Sequence, residues 1–197
     1  MENNERLEVV RPGGRSAWIE LMRGDITTVR VDAIVNAANA QLAGGGGVDG
    51  AIHRAAGPEL MRELRARYKG CPTGSSVVTG SGRLAEHGVQ WVIHAVGPIW
   101  RGGEYGEYGE PELLASAYAS AIFMADDAGA RSVALPAISA GIYGYPIPQA
   151  AAIALRSTGN GLARSRNLER AVFVLFSDEV LAAFRRALRD LASEARE

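Results

Sequence analysis

Four short, almost purely apolar runs, residues 33–35, 91–96, 132–135 and 171–176, constrain this chain more than any other feature. A strand covered on one face alternates apolar and polar residues. These runs do not alternate, so each reads as a strand buried on both faces of a mainly parallel sheet. Residues 76–79 read as a weaker further strand, and 7–10 and 17–22 as a hairpin around Gly13-Gly14. Helical patterns lie between the strands. They cover 48–56; 58–68, with Pro58 suited to a helix start; 111–128, with Leu114, Tyr118, Ala121 and Ala125 on one face and Gly129 as its stop; 149–158; and 178–192. The last has Asp178 as a candidate N-cap and a stripe of Leu181, Phe184, Leu188 and Leu191. Strands alternating with helices predict a layered α/β domain, with ligands at the carboxyl ends of the strands.

Length and charge narrow the function. A chain of 197 residues fits one domain, 1–197. With 21 basic and 22 acidic residues the net charge is −1, which builds no basic face and argues against binding the phosphate backbone of DNA. No apolar run approaches the roughly 18–20 residues of a membrane span, and the opening MENNERLE lacks a signal-type apolar stretch. A single cysteine, Cys71, excludes an internal disulfide and a cysteine-rich zinc cage, and fits the cytoplasm. Before Pro72 it reads as an inert small residue.

Glycine is the compositional deviation: 24 residues, about 12% against a usual ~7%. Four of them, Gly44, Gly45, Gly46 and Gly47, stand between the 33–35 strand and a helix. Consecutive glycines expose backbone N–H groups without obstruction, and before a helix N-terminus that suits a phosphate or diphosphate. The alternative is a flexible solvent loop. Gly45, Gly47 and Gly50 formally satisfy G-x-G-x-x-G, but eight residues separate Val35 from Gly44, and no second strand with an acidic tip comes about 20 residues on. Nor does Val48-Asp49-Gly50 supply the Gly-Lys-Ser/Thr of a Walker loop. A carboxylate beside a phosphate cradle suits a ribose hydroxyl or a water, or else merely favours the helix N-terminus, and Asp49 leaves both open. Asn36 and Asn39 either close a turn or meet a ligand hydroxyl. The segment 136–146 (PAISAGIYGYP) is a second strand–loop–helix cradle, in which Tyr143 and Tyr145 line a ribose or wedge the loop against the sheet.

These pieces resemble the macro domain family. They occur in order: Gly24-Asp25-Ile26-Thr27, then 31–39 (VDAIVNAAN), 44–53 (GGGGVDGAIH), 92–98 (VIHAVGP) and 139–146. The resemblance covers about 19–190 and leaves about 1–16 outside it, including an Arg11-Pro12-Gly13-Gly14-Arg15 turn with no functional reading. It is to the branch of bacterial O-acetyl-ADP-ribose deacetylases and mono-ADP-ribosyl hydrolases. The adjacent glutamates of poly-ADP-ribose glycohydrolases and the Cys/His set of zinc-containing macro domains are missing.

The resemblance implies a three-layer α/β/α sandwich with a mixed, mainly parallel sheet, and ADP-ribose as ligand. Asp25 would accept from the adenine amino group, with the Ile26 backbone beside it, and Phe176 would stack on adenine. The diphosphate would lie on Gly44–Val48 and on Ser139, Ala140, Gly141, Ile142 and Tyr143. Asn36 would join the binding set. Asn39 and Asp49 would face the distal ribose as the catalytic pair, Asp49 orienting or deprotonating a water and Asn39 fixing a ribose hydroxyl. The partners implied are O-acetyl-ADP-ribose and mono-ADP-ribosylated proteins, with no metal, no cofactor and no membrane. His53 and His94 read as structural and His87 as a loop residue. The main alternative is a non-catalytic ADP-ribose-binding module. A nicotinamide dehydrogenase fails on the glycine spacing, and a Ser139 hydrolase on the missing G-x-S-x-G elbow.

Overall fold

A computed structural model describes residues 5–102 and 106–194. The first four residues of the N-terminal extension lie outside them. The elements in chain order are β1 (Arg6–Val10), β2 (Ser16–Arg23), β3 (Ala33–Ala37), α1 (Gly47–Ala56), α2 (Pro58–Arg67), β4 (Ser76–Gly80), β5 (Trp91–Ala95), α3 (Glu110–Asp127), β6 (Ser132–Leu135), α4 (Ile147–Arg164), β7 (Arg170–Leu175) and α5 (Asp178–Glu194). Short 3-10 turns cover Ile26–Thr28 and Gly82–His87.

All seven strands form one sheet in the order β1-β2-β7-β6-β3-β5-β4. The five inner strands run parallel, and β1 and β4 close the edges antiparallel. The apolar runs alternate in destination rather than in polarity. On β7, Ala171, Phe173 and Leu175 join a core with α3, α4 and α5, while Val172 and Val174 join a second core with α1 and α2. On β3, Ala33 and Val35 face the first core and Ile34 the second. Both faces of the sheet are thus covered, and the three-layer expectation holds.

Three local readings change. The fourth helix runs to Arg164, six residues past its expected end, through Gly159 and Gly161. A Cβ at Gly161 would stand 2.7 Å from Ile122 Cγ2, so glycine there serves close packing of α4 on α3 and not a stop. Ser177, not Asp178, caps α5: its Oγ accepts from Val180 N at 3.3 Å. The third strand takes in Asn36 and Ala37, which moves Asn36 from a turn into the sheet. In the N-terminal turn, buried Arg11 donates to Leu168 O at 2.9 Å and Ser16 O at 3.3 Å, tying the β1–β2 hairpin to the strand-β7 entry. Burial pushes the Cys71 thiol up, in keeping with an inert residue.

Candidate functional site

A cavity of about 770 Å³ opens at the carboxyl ends of the parallel strands, a size usual for small-molecule sites. Each inner strand delivers the residues just past its end: Gly24, Asp25 and Ile26 after β2; Ala38 and Asn39 after β3; Gly97 after β5; 136–143 after β6; Phe176 and Ser177 after β7. The glycine loop and the first turn of α1 complete the wall with Gly45, Gly46, Gly47, Val48 and Asp49. Gly44 sits just behind that wall, where a Cβ would meet Met61 Cε at 3.3 Å.

The glycine loop is built for backbone donation. Gly44 and Gly47 have φ of +77° and +57°, a region that side chains disfavour. Gly46 caps α1 without any side-chain bond, and the first helical bond is Gly50 N–H to Gly46 O at 3.2 Å. The N–H groups of Gly47, Val48 and Asp49 therefore lack a helical acceptor at the positive end of the helix dipole, an arrangement that attracts anions.

Across the cavity, the N–H groups of Gly141, Ile142 and Tyr143 make no hydrogen bond among the described residues. Ser139 holds φ at +65° and its buried Oγ has no partner among the described residues. Gly97 makes room for it: a Cβ there would stand 2.3 Å from Ser139 Oγ. Ile142 is exposed and reaches over the glycine loop, so that a methyl at Gly46 would stand 3.5 Å from its Cδ1. The two expected cradles face one another.

Asp49 occupies the third helical position and is buried, so it does not cap α1. Its Oδ1 accepts from Asn36 Nδ2 at 2.7 Å and lies 3.3 Å from His53 Nε2. Its Oδ2 turns toward the glycine loop, 3.2 Å from where a Cβ of Gly45 would stand. Asn36, like Gly44, is an expected ligand residue that is not in the cavity wall. It is fully buried behind Asp49, because β3 continues through it onto the α1 side of the sheet. Asn39 lines the cavity and also locks its own loop, donating to Gly44 O at 2.9 Å and accepting from Ala43 N at 3.1 Å. One N–H of its amide remains for a ligand.

At the other end of the cavity, exposed Asp25 accepts from Thr27 N (2.9 Å) and Thr27 Oγ1 (2.7 Å) through Oδ1 alone, which leaves Oδ2 available. Phe176 is 88% exposed one residue past β7, at the carboxyl end of the sheet and not in the core. Tyr143 lines the cavity, whereas Tyr145 is buried against Trp100 with ring centroids 4.6 Å apart and acts as the wedge. His94 is buried in the sheet. Burial and the neighbouring His53 outweigh Asp49 and pull it down to about 3, so it stays neutral. Among the described residues no group of three or more His, Cys, Asp or Glu is placed to hold a metal ion, and no helix is long and apolar enough to cross a membrane.

Gly97 and Arg54 also line the cavity and escape a reading of the two loops alone. Gly97 was legible as a glycine directly after a buried strand. Arg54 was legible as a cation one turn beyond Gly50 on the helix that the glycines introduce.

The sequence model of the Macro domain family matches residues 35–154. An O-acetyl-ADP-ribose deacetylase of Salmonella typhimurium is 47% identical over 173 residues, 86% of this chain and 93% of that protein. A macro domain-containing protein of Chlorobaculum tepidum is 49% identical over 170 residues, 86% of this chain and 95% of its own. Among solved structures, the Oceanobacillus iheyensis macrodomain with ADP superposes with a TM-score of 0.83 at 36% identity, covering 96% of this chain and 97% of that one. The Trypanosoma brucei macrodomain in complex with ADP-ribose gives 0.77 at 38% identity, covering 86% and 68%.

Proposed function

Since the chain belongs to the macro domain family, we propose that it is a hydrolase that binds ADP-ribose and removes an ester-linked group from the distal ribose. The single observation that carries this reading is the carboxylate of Asp49. It lines the cavity that two loops of free backbone donors face among the described residues, with one oxygen tied back by Asn36 and the other turned toward Gly45 of the cavity wall. The relatives named O-acetyl-ADP-ribose deacetylase and the structures with ADP and ADP-ribose support the same ligand.

In this reading the N–H groups of 47–49 and 141–143 hold the diphosphate from both sides. The adenine lies against Phe176, with its amino group donating to Asp25 Oδ2. The distal ribose then reaches Asn39 and Asp49, and the free N–H of Asn39 fixes a ribose hydroxyl. Asp49 Oδ2 takes a proton from a water as the water oxygen bonds to the acyl carbon. The acyl–oxygen bond to the ribose breaks, and the ribose oxygen takes up the proton. ADP-ribose and a carboxylic acid leave. A general base of this kind contributes about 10²–10⁴ in rate. The reading requires no metal. Mono-ADP-ribosylated Asp or Glu side chains on proteins are the second substrate class, and the cytoplasm is the compartment.

The test is mass spectrometry of O-acetyl-ADP-ribose incubated with the protein, beside calorimetry with ADP-ribose. Release of ADP-ribose by the protein supports the hydrolase. Intact binding without turnover would make it a reader of ADP-ribose instead, and loss of both would remove ADP-ribose from the cavity.

A further inference from the structure

We infer that Thr79, His94 and Asn36 form a buried positioning chain that holds Asp49 with Oδ1 tied back and Oδ2 presented to the cavity. The inference rests on the role given to Asp49 above. It starts from strand register. Asn36 of β3 and His94 of β5 are direct partners in the sheet. Thr79 of β4 lies two residues along from Val77, the register partner of His94, and so on the same face. That face is the one covered by α1, which carries Asp49. The three residues are buried and step across adjacent strands toward the carboxylate.

The far end of the chain fixes the direction of every hydrogen bond in it. Thr79 Oγ1 stands 2.9 Å from the carbonyl of Gly80, which can only accept, so the hydroxyl proton points there. Thr79 must then accept from His94 Nε2, also at 2.9 Å. A neutral imidazole carries one proton, so Nδ1 is left as an acceptor. The Asn36 atom facing Nδ1 at 3.2 Å is therefore its NH₂, and the second proton of that group goes to Asp49 Oδ1 at 2.7 Å. The other tautomer of His94 would turn the amide and set Asn36 Oδ1 against the carboxylate. One imidazole proton thus decides whether Asn36 donates to Asp49 Oδ1, beside His53 Nε2, or sets an oxygen against it.

Asn36 also shows that the arrangement is not chosen for its own hydrogen bonding. Its buried Oδ1 has no partner among the described residues, which an asparagine placed only to satisfy the sheet would avoid.

Two variants of Thr79 separate positioning from packing. Thr79→Val keeps the shape and removes the acceptor; Thr79→Ser keeps the acceptor and removes the methyl. The expected result is a kcat for O-acetyl-ADP-ribose lowered roughly 10–100-fold by Thr79→Val, with KM and the Kd for ADP-ribose little changed, and near-normal kcat in Thr79→Ser. A packing role predicts the reverse order. In nitrogen-15 NMR of the imidazole, His94 should carry its proton on Nε2 in the wild type. A wild-type kcat in Thr79→Val, equal damage in Thr79→Ser, or a proton on Nδ1 would overturn the chain. If instead the wild type shows no turnover, or Asp49→Asn turns over like it, the functional reading fails. The imidazole spectrum then still decides whether the chain exists.

Discussion

Gly97→Ala places a methyl where two atoms of the opposite loop already stand. The new Cβ would lie 2.3 Å from Ser139 Oγ and 2.4 Å from Ile138 Cγ2. The hydroxyl can rotate away, but Ile138 is buried and β-branched and has little rotamer freedom. Restoring ordinary contact requires the 138–139 backbone to retreat by about 1 Å. Overpacking of this kind costs about 1–3 kcal/mol, which for a domain of this length lowers Tm by roughly 2–12 °C. The same retreat pulls Ser139 off its positive φ and displaces the 141–143 donors. A displacement of that size costs on the order of 10²-fold in a positioned reaction. Differential scanning fluorimetry gives the first effect, and calorimetry with ADP-ribose together with O-acetyl-ADP-ribose turnover gives the second. A variant that melts lower yet binds and turns over like the wild type would refute the claim that Gly97 sets the second loop. A variant unaltered in all three would refute the steric argument itself.

Phe176→Ala should leave Tm within about 2 °C, because the ring is exposed, and weaken ADP-ribose roughly ten- to hundredfold if the ring stacks on adenine; an unchanged Kd would place adenine elsewhere. His94 supplies a pH dependence. Its folded-state value of about 3 lies below the ordinary 6.5, so below pH 6.5 the unfolded chain binds a proton that the folded one refuses. Stability is therefore full above about pH 6.5 and falls toward pH 3, by about 2 kcal/mol at pH 5. Thermal melts should show this slope in the wild type and a shallower one in His94→Gln; equal slopes would mean that His94 does not titrate on unfolding.

The parts of the site legible in the sequence are those made by backbone. The glycine run, the small-residue loop after β6 and the aromatic at the end of β7 all face one cavity, because strand ends and helix starts dictate where they go. Side-chain partnerships were less legible. Asn36 and Asp49 are thirteen residues apart, and Asn36 and His94 fifty-eight. Nothing local in the chain distinguishes an asparagine that closes a turn from one that holds a carboxylate across a sheet. The true end of α4, beyond residue 158, was hidden for a related reason. Gly161 looks like a helix stop in isolation and becomes a contact only when Ile122 is laid against it. Short-range chemistry could be read; pairings set by sheet register required the fold.

In the proposed reaction Asp49 drives hydrolysis while the two loops bind the ligand. Asp49→Asn tests it most directly, because the substitution keeps the shape and removes the base. The kcat for O-acetyl-ADP-ribose should fall by about 10²–10⁴, with the ADP-ribose Kd, measured on the same preparation, changed only a few-fold. Turnover equal to the wild type would contradict it.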